Sequence, residues 1–141
     1  MRFVHECALR WSDLDAFGHI NNARFLTLLE EARVALFFVG ARAKGLTSFE
    51  EGIVIFRHEI DYLRPVEYAA GPDGSPRAPS VRIELWVEDV RPSRFTVVYE
   101  VFDADALAAR ARSVCVPFNL SARTPRRLSD VERAFLADWT P

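Results

Sequence analysis

The sequence predicts an α+β fold in which a five-stranded antiparallel sheet curls around one long helix, closed by a short C-terminal helix. Two observations carry that expectation. From about Asn22 the apolar residues Phe25, Leu26, Leu29, Ala32, Leu36 and Phe37 recur at intervals of three and four, which draws a stripe along a helix of some twenty residues. Leu28, Val34, Ala35, Phe38 and Val39 widen the stripe over most of the circumference, so other structure must wrap the helix. The remaining segments alternate with a period of two in the order β, long α, four β, short α, and a sheet curling over the helix is how such layers bury their apolar faces.

The elements follow in chain order. Residues 3 to 11, FVHECALRW, read as a strand with Phe3, Cys7 and Leu9 on one face. A polar stretch, 12 to 22, precedes the helix, and Gly45 is its expected stop. IVIFRHEIDYLRPV (53 to 66) alternates with Phe56, His58, Ile60 and Tyr62 on one side, and Pro65 ends it or marks an edge. GPDGSPRAP (71 to 79) is dense in turn formers. Val81, Ile83, Leu85 and Val87 are in phase on the next strand, and Phe95, Val97, Tyr99 and Val101 on the one after, joined by a hairpin turn at RPSR (91 to 94). DADA (103 to 106) turns into the last strand, LAARARSVCVPFNL. The last four strands are expected to form a meander. A basic segment, SARTPRRLSD, leads to the helix VERAFLADW, with Ser129 or Asp130 as its cap.

At 141 residues the chain is one domain, 1 to 141. Half its residues are hydrophobic and its net charge is −2, so it lacks the basic footprint of a nucleic-acid binder. No apolar run approaches the roughly 18 residues of a membrane span. Cys7 and Cys115 are the only cysteines; with no secretory leader pattern, free buried thiols in a reducing, cytoplasmic compartment are expected. No Cys/His set has metal-ligand spacing, and no nucleophile elbow, P-loop or dinucleotide fingerprint is present. No metal and no cofactor is expected.

Chemistry concentrates in RWSDLDAFGHINNARFLTLLEEAR, residues 10 to 33. Asp13, Asp15, His19, Asn21 and Asn22 crowd a helix start that needs one capping residue. Either aspartate can cap or neutralise that terminus. Equally, exposed N–H groups at a helix start can hold an oxyanion, and a carboxylate nearby can attack a carbonyl or deprotonate water. Gly18 permits close approach of a substrate. His19 is an acid, a base, a donor or an ordinary loop histidine. Of Glu30 and Glu31, on the helix, one can face a cavity, though a solvated face is the default. His58, between apolar neighbours, reads as a satisfied core or interface histidine.

This stretch resembles the signature of the hotdog-fold thioesterases of the 4-hydroxybenzoyl-CoA thioesterase class, particularly the acyl-CoA thioester hydrolase branch. The matching residues are Arg10, Asp13, Asp15, Gly18, His19, Ile20, Asn21, Asn22, Phe25 and Glu31-Ala32-Arg33; Phe25 stands where a Tyr is more usual. The run from Asp13 to Asn22 is also similar to the catalytic segment of plant acyl-carrier-protein thioesterases, and RPSRFTVVYEV resembles the family's third-to-fourth strand hairpin. The resemblance implies a hotdog fold and hydrolysis of an acyl-CoA substrate to free acid and CoA. It implies Asp15 as the catalytic carboxylate, the helix N–H near Asn22 as oxyanion donor, and lesser site roles for His19, Gly18, Asn21 and Glu31. Phe25 is expected beside the substrate. Arg123, Arg126 and Arg127, then Arg91 and Arg94, are candidates for the CoA phosphates, or a solvated basic loop. A homodimer or homotetramer is implied. A hotdog hydratase or dehydratase is the second enzyme reading, although its Asp-x-Asn-Pro-x-His arrangement is missing, and a non-catalytic acyl-CoA-binding domain is the third. Chain length and aromatic preference are not legible.

Overall fold

The computed structural model describes residues 1–141. Strand β1 (Phe3–Ala8) leads to a short 3-10 turn (Trp11–Asp13) and then the long helix. The remaining strands are β2 (Ile53–Tyr62), β3 (Ser80–Arg91), β4 (Arg94–Asp103), β5 (Ala106–Asn119) and the two-residue β6 (Thr124–Pro125). The C-terminal helix (Asp130–Asp138) closes the chain. No helix is long and apolar enough to cross a membrane.

The long helix runs as Asn22–Val34, widens into a π-helical segment at Ala35–Gly40, and ends in one more α-helical turn at Ala41–Ala43. The Asn21 side chain accepts from the Ala23 N–H at 2.9 Å and fixes the start. At the other end Gly45, at φ 79°, takes the left-handed turn that returns the Leu46 N–H to the Ala41 carbonyl. Leu29, Ala32, Leu36 and Ala41 are fully buried against Val81, Ile83, Leu85 and Val97 of the sheet. The sequence phases of β3 and β4 are those the structure buries.

Three details differ from expectation. The sheet order is β1-β3-β4-β5-β2, so only β3, β4 and β5 form a meander. The 63–79 linker carries the chain from β2, on the far edge beside β5, to β3 beside β1. β2 also carries a bulge: Ile55 pairs with Cys115 and Arg57 with Val114, leaving Phe56 as the extra residue. An extra residue reverses the inward face, so Ile53 and Ile55 share the inner face with His58, Ile60 and Tyr62, while Phe56 is 72% exposed. Finally, β1 stops at Ala8, because Trp11 enters the turn whose closing residue is Asp13.

A polar strip crosses the otherwise apolar concave face. His58 on β2 pairs with Ser113 on β5, their Nδ1 and Oγ 2.7 Å apart. Tyr99 on β4, fully buried, accepts from Arg33 of the helix at 2.9 Å. At the opposite end of the core, Phe37, Phe49, Phe95 and Phe135 stack edge to face or tilted, and the C-terminal helix seals them. Ser129 caps that helix in a reciprocal box with Glu132, which is fully buried and accepts two bonds from Arg126 at 2.7 and 2.8 Å. Arg126 also donates to the Ser48 carbonyl, tying the helix to the segment before β2.

These contacts set the stability of the fold in ways that can be measured. Arg126→Met strands the buried Glu132 carboxylate, so chemical denaturation should show a loss of about 3 kcal/mol, as for other broken buried pairs. Burial, and then the Arg33 charge, hold the His58 imidazole below its ordinary value of 6.5, with Glu30 opposing. The unfolded chain therefore binds this proton first as pH falls through 6.5, and folding stability drops with it. The slope of melting temperature against pH between about 7 and 5 should be shallower in His58→Asn.

Candidate active site

The segment between β1 and the long helix is a tight loop closed on itself. Leu14 and Ile20 bridge, the Asp15 N–H donates to the His19 carbonyl at 2.8 Å, and the Asn21 N–H donates to the Asp13 carbonyl at 2.8 Å. Gly18 stands in the turn at φ 79°, where a side chain would cost about 1 kcal/mol. His19 bridges Glu67, and the Ile20 N–H donates to Val66, anchoring the loop to the 63–79 linker.

The two aspartates do different work. Asp13 is buried, and its carboxylate accepts from the Arg10 N–H at 2.8 Å and the Arg10 guanidinium at 3.2 Å, locking the turn. Asp15 is half-buried. Its Oδ1 accepts the N–H groups of Phe17 at 2.8 Å and His19 at 3.2 Å, which leaves Oδ2 uncommitted. The same separation holds for the backbone donors. Those of His19, Ile20, Asn21, Ala23 and Arg24 are all taken within the protein, whereas the Asn22 N–H is not. One carboxylate oxygen and one helix N–H are therefore presented on the two arms of a single small loop. That pair can stabilise a carbonyl oxygen as it becomes anionic and supply a base or nucleophile to its carbon.

Other residues of the sequence signature fall around this pair or away from it. Asn21 is the helix cap. His19 is half-buried, with its ring free of hydrogen bonds. Glu31 is exposed on the helix. Phe25 does not line the loop: at 3% exposure it belongs to the core, packed edge-on against Tyr62 with centroids 5.4 Å apart. Tyr62, which the alternation puts on one side of its strand with His58 and Ile60, donates its hydroxyl to the Asn22 carbonyl at 2.7 Å and steadies the helix start, a contact that sequence does not show. Around the loop, Phe17 and Trp11 are 84% and 73% exposed, with Trp11 edge-on to Tyr68.

The arginines lie elsewhere. Arg91 and Arg94 flank the β3–β4 turn, and the Leu128 N–H donates to Pro92 in that turn, so Arg123 and Arg127, both exposed, belong to the same end of the molecule. Arg126 is spent on Glu132 and is not free for a phosphate. The Asp15 loop sits at the other end: the chain leaving β1 bonds to Pro79, just before β3 begins. β3 has 12 residues and so runs for about 35 Å, and the arginines and the Asp15 loop lie toward its opposite ends.

Comparison with known proteins agrees with this fold. The chain matches the model of the thioesterase-like superfamily over residues 9–138. Its structure is similar to that of a predicted thioesterase from Bacillus stearothermophilus, with 26% identity, a TM-score of 0.81, and coverage of 100% of this chain and 98% of that one. A 1,4-dihydroxy-2-naphthoyl-CoA thioesterase from Synechocystis shares the fold at 19% identity and a TM-score of 0.77, covering 98% of this chain and 97% of that one. So does a thioesterase from Thermus thermophilus solved with coenzyme A and Zn, at 24% identity and a TM-score of 0.73, covering 96% of this chain and 92% of that one. A hotdog fold and a family match over most of the chain lead to one conclusion: this protein is a thioester hydrolase belonging to the thioesterase-like superfamily.

Proposed function

We propose that the protein hydrolyses acyl-CoA thioesters at the Asp15 loop. The observation that carries this reading is the pairing of the uncommitted Asp15 Oδ2 with the uncommitted Asn22 N–H. The thioester carbonyl oxygen accepts from Asn22, where the helix start favours developing negative charge. Asp15 then either takes a proton from water as its oxygen adds to the carbonyl carbon, or adds to that carbon itself and is released by water. In both routes the C–S bond breaks and the thiolate leaves to be protonated as CoA. The CoA-bound neighbour from Thermus thermophilus supports a CoA ligand for this fold.

The distance between the two ends of the molecule supports a partnered site. β2 is an edge strand with a free ladder and an exposed Phe56 on its outer face. Antiparallel pairing of two β2 edges would continue the sheet and point the partner's arginine end toward the Asp15 loop. Arg91, Arg94, Arg123 and Arg127 of one copy would then meet the phosphates of CoA whose thioester lies on the other. A homodimer, or a dimer of dimers, is the assembly this reading requires.

Asp15→Asn is the discriminating variant, because its side-chain oxygen can still accept from Phe17 and His19 while the base is lost. Hydrolysis of acyl-CoA, followed by thiol release, should fall about a hundredfold or more, with an unchanged melting temperature. Full activity in Asp15→Asn and in Asp15→Ala on every acyl-CoA the wild type cleaves would remove Asp15 from the chemistry.

A further inference from the structure

The helix and sheet enclose a second polar feature that the Asp15 chemistry does not use. A cavity of about 250 Å³ is lined by Val34, Phe37, Phe38, Ile53, Ile55 and Cys115, and its only charged groups are Arg33 and Glu30. Arg33 is 9% exposed, an expensive place for a guanidinium unless it is paired and hydrogen-bonded. Here Tyr99 accepts one of its hydrogen bonds, and its only charged partner is held loosely. The Cys115 thiol, pushed up to about 12 by burial, stays protonated, and Tyr99, likewise pushed up to about 12 by burial, is a neutral phenol. The one acid at hand is Glu30, whose side chain is 66% exposed and whose Oε2 stands 3.8 Å from the Arg33 Nη2. That spacing is too long for a direct hydrogen bond.

A donor and an acceptor held slightly too far apart, at the wall of an apolar cavity, match a hydroxyl group. A hydroxyl oxygen accepts from the guanidinium while its hydrogen goes to the carboxylate, satisfying both with charge-assisted bonds. A carboxylate fits less well because Glu30 repels it, and a methyl terminus offers neither group a bond. The apolar walls would take the chain that carries the hydroxyl. Arg33 lies eleven residues beyond Asn22 in the sequence, about 16 Å along the helix axis, so the group it recognises is remote from the reacting carbonyl.

We propose that Arg33 and Glu30 are specificity residues for an acyl chain bearing a hydroxyl group remote from its thioester, held in the cavity between the long helix and β2. The identity of the ligand as an acyl thioester rests on the function proposed above; the donor–acceptor pair does not.

The test separates the two. Calorimetric titration uses S-alkyl-CoA thioethers, which cannot be hydrolysed, of six to twelve carbons, each beside its ω-hydroxy counterpart. At one chain length or more the wild type should bind the hydroxylated member about tenfold more tightly, and ω-carboxy thioethers should gain less. Arg33→Met and Glu30→Ala should each bring that ratio below about threefold. Glu30 is exposed, so Glu30→Ala keeps the measurement interpretable if Arg33→Met fails to fold. Equal affinities for both members of every pair, or a ratio unchanged in Glu30→Ala, would overturn the proposal. Hydroxyl discrimination in binding alongside a complete lack of acyl-CoA hydrolysis would support the pocket and overturn the hydrolytic reading instead.

Discussion

Burial of the long helix in the concave face of the sheet is the constraint on which the rest of the molecule depends. The helix contributes Phe25, Leu28, Leu29, Ala32, Leu36, Phe37 and Ala41 to one continuous core. Once it lies there, its first turn has to emerge at one end of the sheet, and the chain arriving from β1 must fold sharply to meet it. The Asp15 loop is the form that meeting takes. Its hydrogen bonds are nearly all internal: Asp13 to Arg10, Asp15 to the N–H groups that follow it, Asn21 to Ala23. A loop satisfied in this way is rigid without substrate, and preorganisation is what gives a carboxylate and a backbone donor their catalytic value.

Charge is handled in two contrasting ways inside the same core. Both Glu132 carboxylate oxygens are bonded by Arg126, with the Ser129 N–H added, and the result fastens the C-terminal helix even though the buried Arg126 Nε has no partner. Arg33 is held more loosely, by one bond to Tyr99 and an ion pair with Glu30 at 3.8 Å. The convex face shows a third pattern, in which Arg2, Glu84 and Glu100 pair at the surface and Arg2 covers Trp86. Such exposed pairs add little stability, but they make that face polar. Large apolar side chains are exposed at Trp11 and Phe17 beside the Asp15 loop and at Phe56 on the β2 edge.

Much of this is legible in the sequence because it is local or periodic. The alternation of Val81 to Val87 and Phe95 to Val101, the helix stripe, and the Ser129 cap are each written in neighbouring residues. The concentration of polar groups at 13 to 22 likewise marks the loop. Long-range partners are not legible. Nothing near Phe56 announces a bulge, which exists because β2 must keep Ile55 opposite Cys115 and His58 opposite Ser113. Sheet order is hidden for a related reason, since a hairpin and a crossover leave the same alternation in the strands they join. Arg126 belongs to a basic run in sequence, and only the fold sets Glu132 beside it. Phe25 sits in the site signature, and only the fold covers it with Tyr62. Tyr99 gives no sign of its polar role, being in phase with Phe95, Val97 and Val101, as a core residue should be.

The same long-range geometry sharpens what the active unit must be. In sequence the candidate arginines form two separate groups, but hydrogen bonding of Leu128 to Pro92 gathers Arg91, Arg94, Arg123 and Arg127 at one end of β3 while Pro79 holds the chain leading to Asp15 at the other. A sheet is stiff along its strands, so no modest loop movement closes that interval. Either the arginines have no part in binding, or a second copy supplies them. β2 favours the second course, because an edge strand with an open ladder is a surface that proteins either blunt or pair. Here the bulge turns Phe56 outward and does not blunt it. In the proposed dimer, symmetric pairing of that edge would reverse one protomer against the other, so that each Asp15 loop would face the basic end of its neighbour. The active unit so proposed is two chains, although every group proposed to touch the thioester itself comes from one.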